Sequence, residues 1–107
     1  MPVYTGAMEY HKLVRDYIPD RIQEKGERAV FHIADKEEYQ EKLREKLSEE
    51  VAEYLESQST EELADILEVV YALAQLAGDT PAIVEKLRAE KAEKRGAFTK
   101  RIILDES

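Results

Sequence analysis

Four carboxylates in the middle of this sequence are spaced for chemistry. Glu50 is followed three residues later by Glu53, and Glu62 by Asp65 at the same interval, with Glu49 adjoining the first pair. Residues three apart on a helix are neighbours on one face, so each pair presents two carboxylates side by side. At about 100° per residue with Leu43 as zero, Tyr39, Leu47 and Tyr54 fall within about 40°, and Glu50 falls at about −20°. Glu50 therefore sits in the middle of an apolar stripe. Glu53 lies about 60° further round on the same side, and Glu49 lies further out. In the following segment, with Leu63 as zero, one stripe gathers Leu63, Leu67, Val70 and Ala74. A second gathers Ile66, Val69, Leu73 and Leu76 at about 220–300°, with Glu62 inside it at about 260° and Asp65 on its edge.

Carboxylates aimed into one interhelical volume resist ionisation, because burial and mutual repulsion both disfavour the charged form. Something positive must join them. Lysine or arginine partners could do so. An all-oxygen set without Cys or His is also what a hard cation such as Mg²⁺ or Mn²⁺ prefers. Elsewhere the inventory is poor. Gly6, Gly26, Gly78 and Gly96 are too far apart to make a phosphate-cradling loop. His11 and His32 have no metal-spaced partner, no serine sits in a GxSxG elbow, and both histidines read as structural or solvated. With no cysteine there is no disulfide, zinc ribbon or thiol nucleophile.

The elements that position the carboxylates follow from periodicity. Residues 36 to about 56 carry Tyr39, Leu43, Leu47, Val51 and Tyr54 every three or four positions, predicting a long amphipathic helix with Asp35 as its N-cap. Ser57 to Thr60 breaks it, and Thr60 is placed to cap a second helix over about 61–77. So short a loop makes the two helices antiparallel neighbours. Gly78, Thr80 and Pro81 supply a stop, a cap and a first helical residue for a third long helix, to about Arg95 with Gly96 after it. Upstream, 12–25 predicts a kinked helix, or two short ones, interrupted by Pro19. Residues 29–33 read as an extended connector, and the β-branched tail from Phe98 to Leu104 could pair with residues 30–33. The expected fold class is all-α: an antiparallel bundle of about four helices over residues 9–107, with room for a short C-terminal hairpin. Residues 1–8 are expected to form a loose leader.

Twenty-four acidic against 16 basic residues leave a net charge of −8, which repels a nucleic-acid backbone. No apolar run is long enough to cross a membrane, and no signal peptide opens the chain, so the sequence predicts a soluble cytoplasmic protein. At 107 residues an isolated helical domain buries a modest core. The two apolar stripes on the 61–77 segment therefore predict a subunit interface, in a homodimer or homotetramer.

Taken together these blocks resemble the all-α nucleotide pyrophosphohydrolase superfamily, the group containing MazG and phosphoribosyl-ATP pyrophosphohydrolase. Its EExxE and ExxD signatures are matched by Glu49-Glu50-Val51-Ala52-Glu53 and Glu62-Leu63-Ala64-Asp65. The small stand-alone phosphoribosyl-ATP pyrophosphohydrolase-like proteins are the nearest in pattern. They begin KLVRDxIP, seen here from Lys12 to Pro19, and end in an RGxF segment, seen here from Arg95 to Phe98. The resemblance runs from about Lys12 to Leu104. The interval between Glu53 and Glu62 is shorter than is usual in the superfamily.

The resemblance implies a fold of helices and an Mg²⁺-dependent hydrolysis of a nucleoside triphosphate or related nucleotide between the α and β phosphates. Glu50, Glu53, Glu62 and Asp65 would hold the metal, and Glu49 or Glu53 would orient or deprotonate the attacking water. An acidic site needs cations to receive a polyanion, and Lys12, Arg15, Lys91, Lys94 and Arg95 are the candidates. Tyr39, Tyr54, Tyr71 and Phe98 could stack on a base or simply pack. Two other readings stand beside this one: phosphoribosyl-ATP hydrolysis, and a non-catalytic helical interaction module in which Glu50 and Glu62 pair with lysines.

Overall fold

The structure is a computed structural model and describes residues 10–107; the leader expected over residues 1–8 lies outside the described residues. The protein is all-α, with four helices and no strand among the described residues: α1 (Ile18–Glu24), α2 (Lys36–Ser57), α3 (Thr60–Leu76) and α4 (Pro81–Arg95). No helix is long and apolar enough to cross a membrane among these residues. By packing, the chain divides into two compact units whose boundary falls inside α3, after Val69.

In the first unit α1 begins only at Ile18, not at residue 12 as the periodicity predicts. Pro19 explains the difference. A proline has no N–H to donate and its ring collides with the carbonyl four residues back, so it is tolerated in a first turn but not mid-helix. Residues 10–17 consequently run without regular structure, apart from a turn in which the Ile18 N–H donates to the Arg15 carbonyl at 3.1 Å. At the other end Gly26, at φ +79°, closes α1. Its N–H donates to the Gln23 carbonyl, and the Glu27 N–H donates to that of Ile22. This paired pattern satisfies two of the helix's orphan carbonyls and needs a left-handed residue at its centre.

α2 starts where expected, the Asp35 carboxylate accepting the Glu38 N–H at 2.9 Å. Only Gln58, left-handed at φ 55°, and Ser59 separate it from α3. The cap of α3 is Ser59, whose Oγ accepts the Glu62 N–H at 3.4 Å, so Thr60 is already helical rather than the cap the sequence suggested. The connector over 29–33 has no strand partner, and the hairpin with the tail is not formed. A strand there would need a ladder of backbone hydrogen bonds, and among the described residues none involves either segment beyond a turn from Arg101 N–H to Phe98 carbonyl. Among the described residues the buried apolar side chains are Leu43 and Val69, and beside them Glu50 is the one buried charged residue. Of the two α3 stripes, Leu63 and Leu67 remain about half exposed, while Ile66 and Val69 are withdrawn from solvent.

The second unit runs from Val70 to the C-terminus. Gly78, at φ +90°, ends α3 by the same paired carbonyl pattern, the Gly78 and Asp79 N–H groups donating to Gln75 and Ala74. Thr80 caps α4 through the Ile83 N–H, and Pro81 takes the first turn, as the sequence predicts. After Gly96 the tail is irregular, with Phe98, Ile102, Ile103 and Leu104 exposed.

Candidate metal centre

The site lies within the first unit, where the short α2–α3 connection folds the start of α3 back against the second half of α2. Antiparallel pairing brings Glu50 and Glu53 of α2 against Glu62 and Asp65 of α3. Two ligand triplets result, Glu49–Glu50–Glu53 and Glu50–Glu62–Asp65, each with one oxygen per residue within 4.8 Å of the others. Glu50 belongs to both. It is 6% exposed, as expected of a carboxylate set in the middle of the α2 apolar stripe.

Three cations reach the cluster. Lys46 Nζ lies 3.2 Å from Glu50 Oε1 and 3.5 Å from Glu49 Oε2. Lys12 Nζ donates to Glu49 Oε1 at 3.1 Å, and Arg15 Nη2 to Asp65 Oδ1 at 2.7 Å. Two buried oxygens, Glu50 Oε2 and Glu62 Oε2, receive no donor from these cations, and Glu53 is a carboxyl neighbour that is hydrogen-bonded to both side chains only when a proton is shared. A buried carboxylate oxygen without a donor costs the full desolvation of that atom, so these two are the places where a positive charge is wanted. At full ionisation five carboxylates face three cations, leaving two negative charges, the deficit that one divalent cation removes.

The titration behaviour follows the geometry. The Glu50 charge beside it, with burial second, pushes the Glu53 carboxyl above the usual carboxylate range. Burial, reinforced by Glu53, Asp65 and Glu50, pushes Glu62 up as well. Glu49 goes the other way. Its burial would raise it, but the hydrogen bond from Lys12 and the charge of Lys46 outweigh that and hold it low. Lys12 is raised in return, chiefly by its bond to Glu49.

Of the residues singled out in the sequence, Glu49, Glu50, Glu53, Glu62, Asp65, Lys12 and Arg15 are thus assembled in one place. Lys91, Lys94 and Arg95 belong to the second unit, on the C-terminal half of α4, where Lys94 and Arg95 complement the carbonyl end of that helix. Lys46 is the cluster residue that sequence reasoning did not name. Its position four residues before Glu50, on the same face, was the available signal. Comparison with protein-family models, with curated proteins and with solved structures finds no match for this chain.

Proposed function

We propose that this protein is an Mg²⁺-dependent nucleotide pyrophosphohydrolase, cleaving a nucleoside triphosphate or related nucleotide between its α and β phosphates. The observation that carries the reading is the pair of buried oxygens without a cationic donor, Glu50 Oε2 and Glu62 Oε2, inside an all-oxygen donor set. Carboxylate oxygens of this kind suit Mg²⁺ or Mn²⁺ and do not suit the softer metals that select sulfur or imidazole. Glu50, Glu53, Glu62 and Asp65 would hold the ion. Bound there, it would neutralise phosphate oxygens and acidify a water molecule.

The remaining chemistry belongs to the chain's own side chains. Glu53, exposed at the edge of the cluster, would accept the proton of the attacking water through an oxygen not given to the metal. Water oxygen bonds to the α-phosphorus, the bond from that phosphorus to the bridging oxygen breaks, and pyrophosphate leaves with the bonding pair. Glu49, held low by Lys12 and Lys46 in the metal-free protein, orients the water. Lys12 and Arg15 supply positive charge at the rim, where a polyphosphate would enter. Self-association as a dimer or tetramer is part of the same reading, because Leu55, Leu63 and Leu67 of the first unit stay exposed while few apolar side chains are buried.

One observation favours a second reading. The cluster already holds three cations, so a non-catalytic helical module with paired carboxylates accounts for most of it. Pyrophosphate release separates the two. It is measured over a panel of standard and modified nucleoside triphosphates and phosphoribosyl-ATP, with Mg²⁺ and with EDTA. Metal-dependent release from one member establishes the reaction and its substrate. Silence across the panel, with no thermal shift from Mg²⁺ or Mn²⁺, selects the module.

A further inference from the structure

The three cations at the cluster are not equivalent. Lys46 is carried by α2 itself, one turn from the carboxylates it serves, and its side chain is 18% exposed. Lys12 and Arg15 are carried by the irregular segment before α1, and their side chains are 44% and 58% exposed. Each of these outer cations sits on a different ligand triplet: Lys12 on Glu49 of the first, Arg15 on Asp65 of the second. Over residues 12–17, the backbone hydrogen bonds to described residues are a turn at Arg15 and Ile18 and the Tyr17 carbonyl accepting from Arg21. The Tyr10 ring, 5.7 Å from Lys12 Nζ, keeps a second cation-favouring surface beside the lysine.

We propose that residues 12–17 form a cationic strap: Lys12 and Arg15 neutralise the two triplets while no divalent cation is present, and are released to the phosphate oxygens of a polyphosphate once one binds. The inference rests on the metal-binding reading above and adds an order to it, cation first and polyphosphate second. A divalent ion and a strap cation compete for the same carboxylate charge, so entry of the ion weakens each strap pair. The freed side chains stay at the rim of the acidic cluster, where an incoming polyanion needs them. Lys46, enclosed and intrahelical, remains in place.

The test uses Mn²⁺ as the cation and inorganic tripolyphosphate, as its Mn²⁺ complex, for the polyanion. Calorimetric titration compares the wild type with Lys12→Gln, Arg15→Gln and, as a control for net charge, Arg21→Gln on α1. Both strap variants should bind Mn²⁺ about two- to fivefold more tightly, the factor an exposed ion pair is worth, and should bind the tripolyphosphate complex more weakly. Arg21→Gln should change neither. On the unmodified protein, trypsin should cut after Lys12 and Arg15 faster when Mn²⁺ is added, and slow again with tripolyphosphate. Mn²⁺ binding that is unchanged or weakened in both strap variants, or matched by Arg21→Gln, overturns the strap alone, as does cleavage indifferent to Mn²⁺. A wild type that binds no Mn²⁺ overturns the metal reading and the strap with it.

Discussion

Replacing Glu50 by glutamine is the most informative single change, because it keeps the shape of the side chain and removes its charge. In the metal-free protein two effects oppose each other. The pair with Lys46 at 3.2 Å is weakened, while repulsion from Glu53 and Glu62 is relieved and a buried carboxylate oxygen without a cationic donor is replaced by an amide. The residual change should stay within about 1 kcal/mol in either direction, the scale of one net hydrogen bond. A buried ion pair that served stability alone would behave differently, since removing one partner of such a pair costs about 3–5 kcal/mol. Metal linkage adds the second arm. At Mg²⁺ ten times its dissociation constant, the wild type should gain about 1.4 kcal/mol, which for a chain of this size raises Tm by roughly 6–11 °C. Glu50 contributes to both triplets, so the glutamine variant should lose that shift and its turnover together while keeping its helix content by circular dichroism. A variant that retains the full Mg²⁺ shift refutes Glu50 as a ligand. One that unfolds, in a protein whose wild type ignores Mg²⁺, identifies a structural salt bridge instead.

Acidity offers an independent check. Glu53 and Glu62 titrate above the ordinary value of 4.5 in the folded protein, so the folded state binds their protons more tightly than the unfolded chain does. Stability therefore falls as pH rises through that window, and the metal-free protein should melt higher as pH is lowered from neutrality towards 4.5. Glu49 and Glu85, held below 4.5 by Lys12 and Arg88, lose their contribution only at still lower pH. Saturating Mg²⁺ should remove the slope above 4.5, and a metal-free Tm that drops steadily on acidification from neutrality contradicts the assignment. Gly78→Ala should cost about 1 kcal/mol, read as a lower melting temperature; a Cβ there meets nothing within 4 Å, so the penalty comes from φ +90° alone, and an unchanged Tm would mean that α3 ends equally well without a left-handed residue.

Local rules carried the sequence reading a long way. The Asp35 and Thr80 caps, Pro81 in the first turn and the Gly78 stop are encoded within three or four residues of the backbone groups they satisfy, so α2 and α4 were legible almost to the residue. Helical phase also placed Glu50 on the buried side, since the period of an α-helix converts spacing directly into direction. Where two local signals compete, spacing alone misplaces the element: Pro19 against the apolar spacing of residues 12–25, Ser59 against Thr60 as cap, and β-branched tail residues that find no ladder among the described residues. What only tertiary structure decided is which charges meet. Lys12 and Glu49 are 37 positions apart and Arg15 and Asp65 are 50 apart, and no periodicity relates them. Nor does periodicity choose between the α3 stripes, of which Ile66 and Val69 turn inward while Leu63 and Leu67 do not. Spacing along a chain sets the face of a helix, but the partner of that face depends on how the whole chain packs, and electrostatics acts through that final distance.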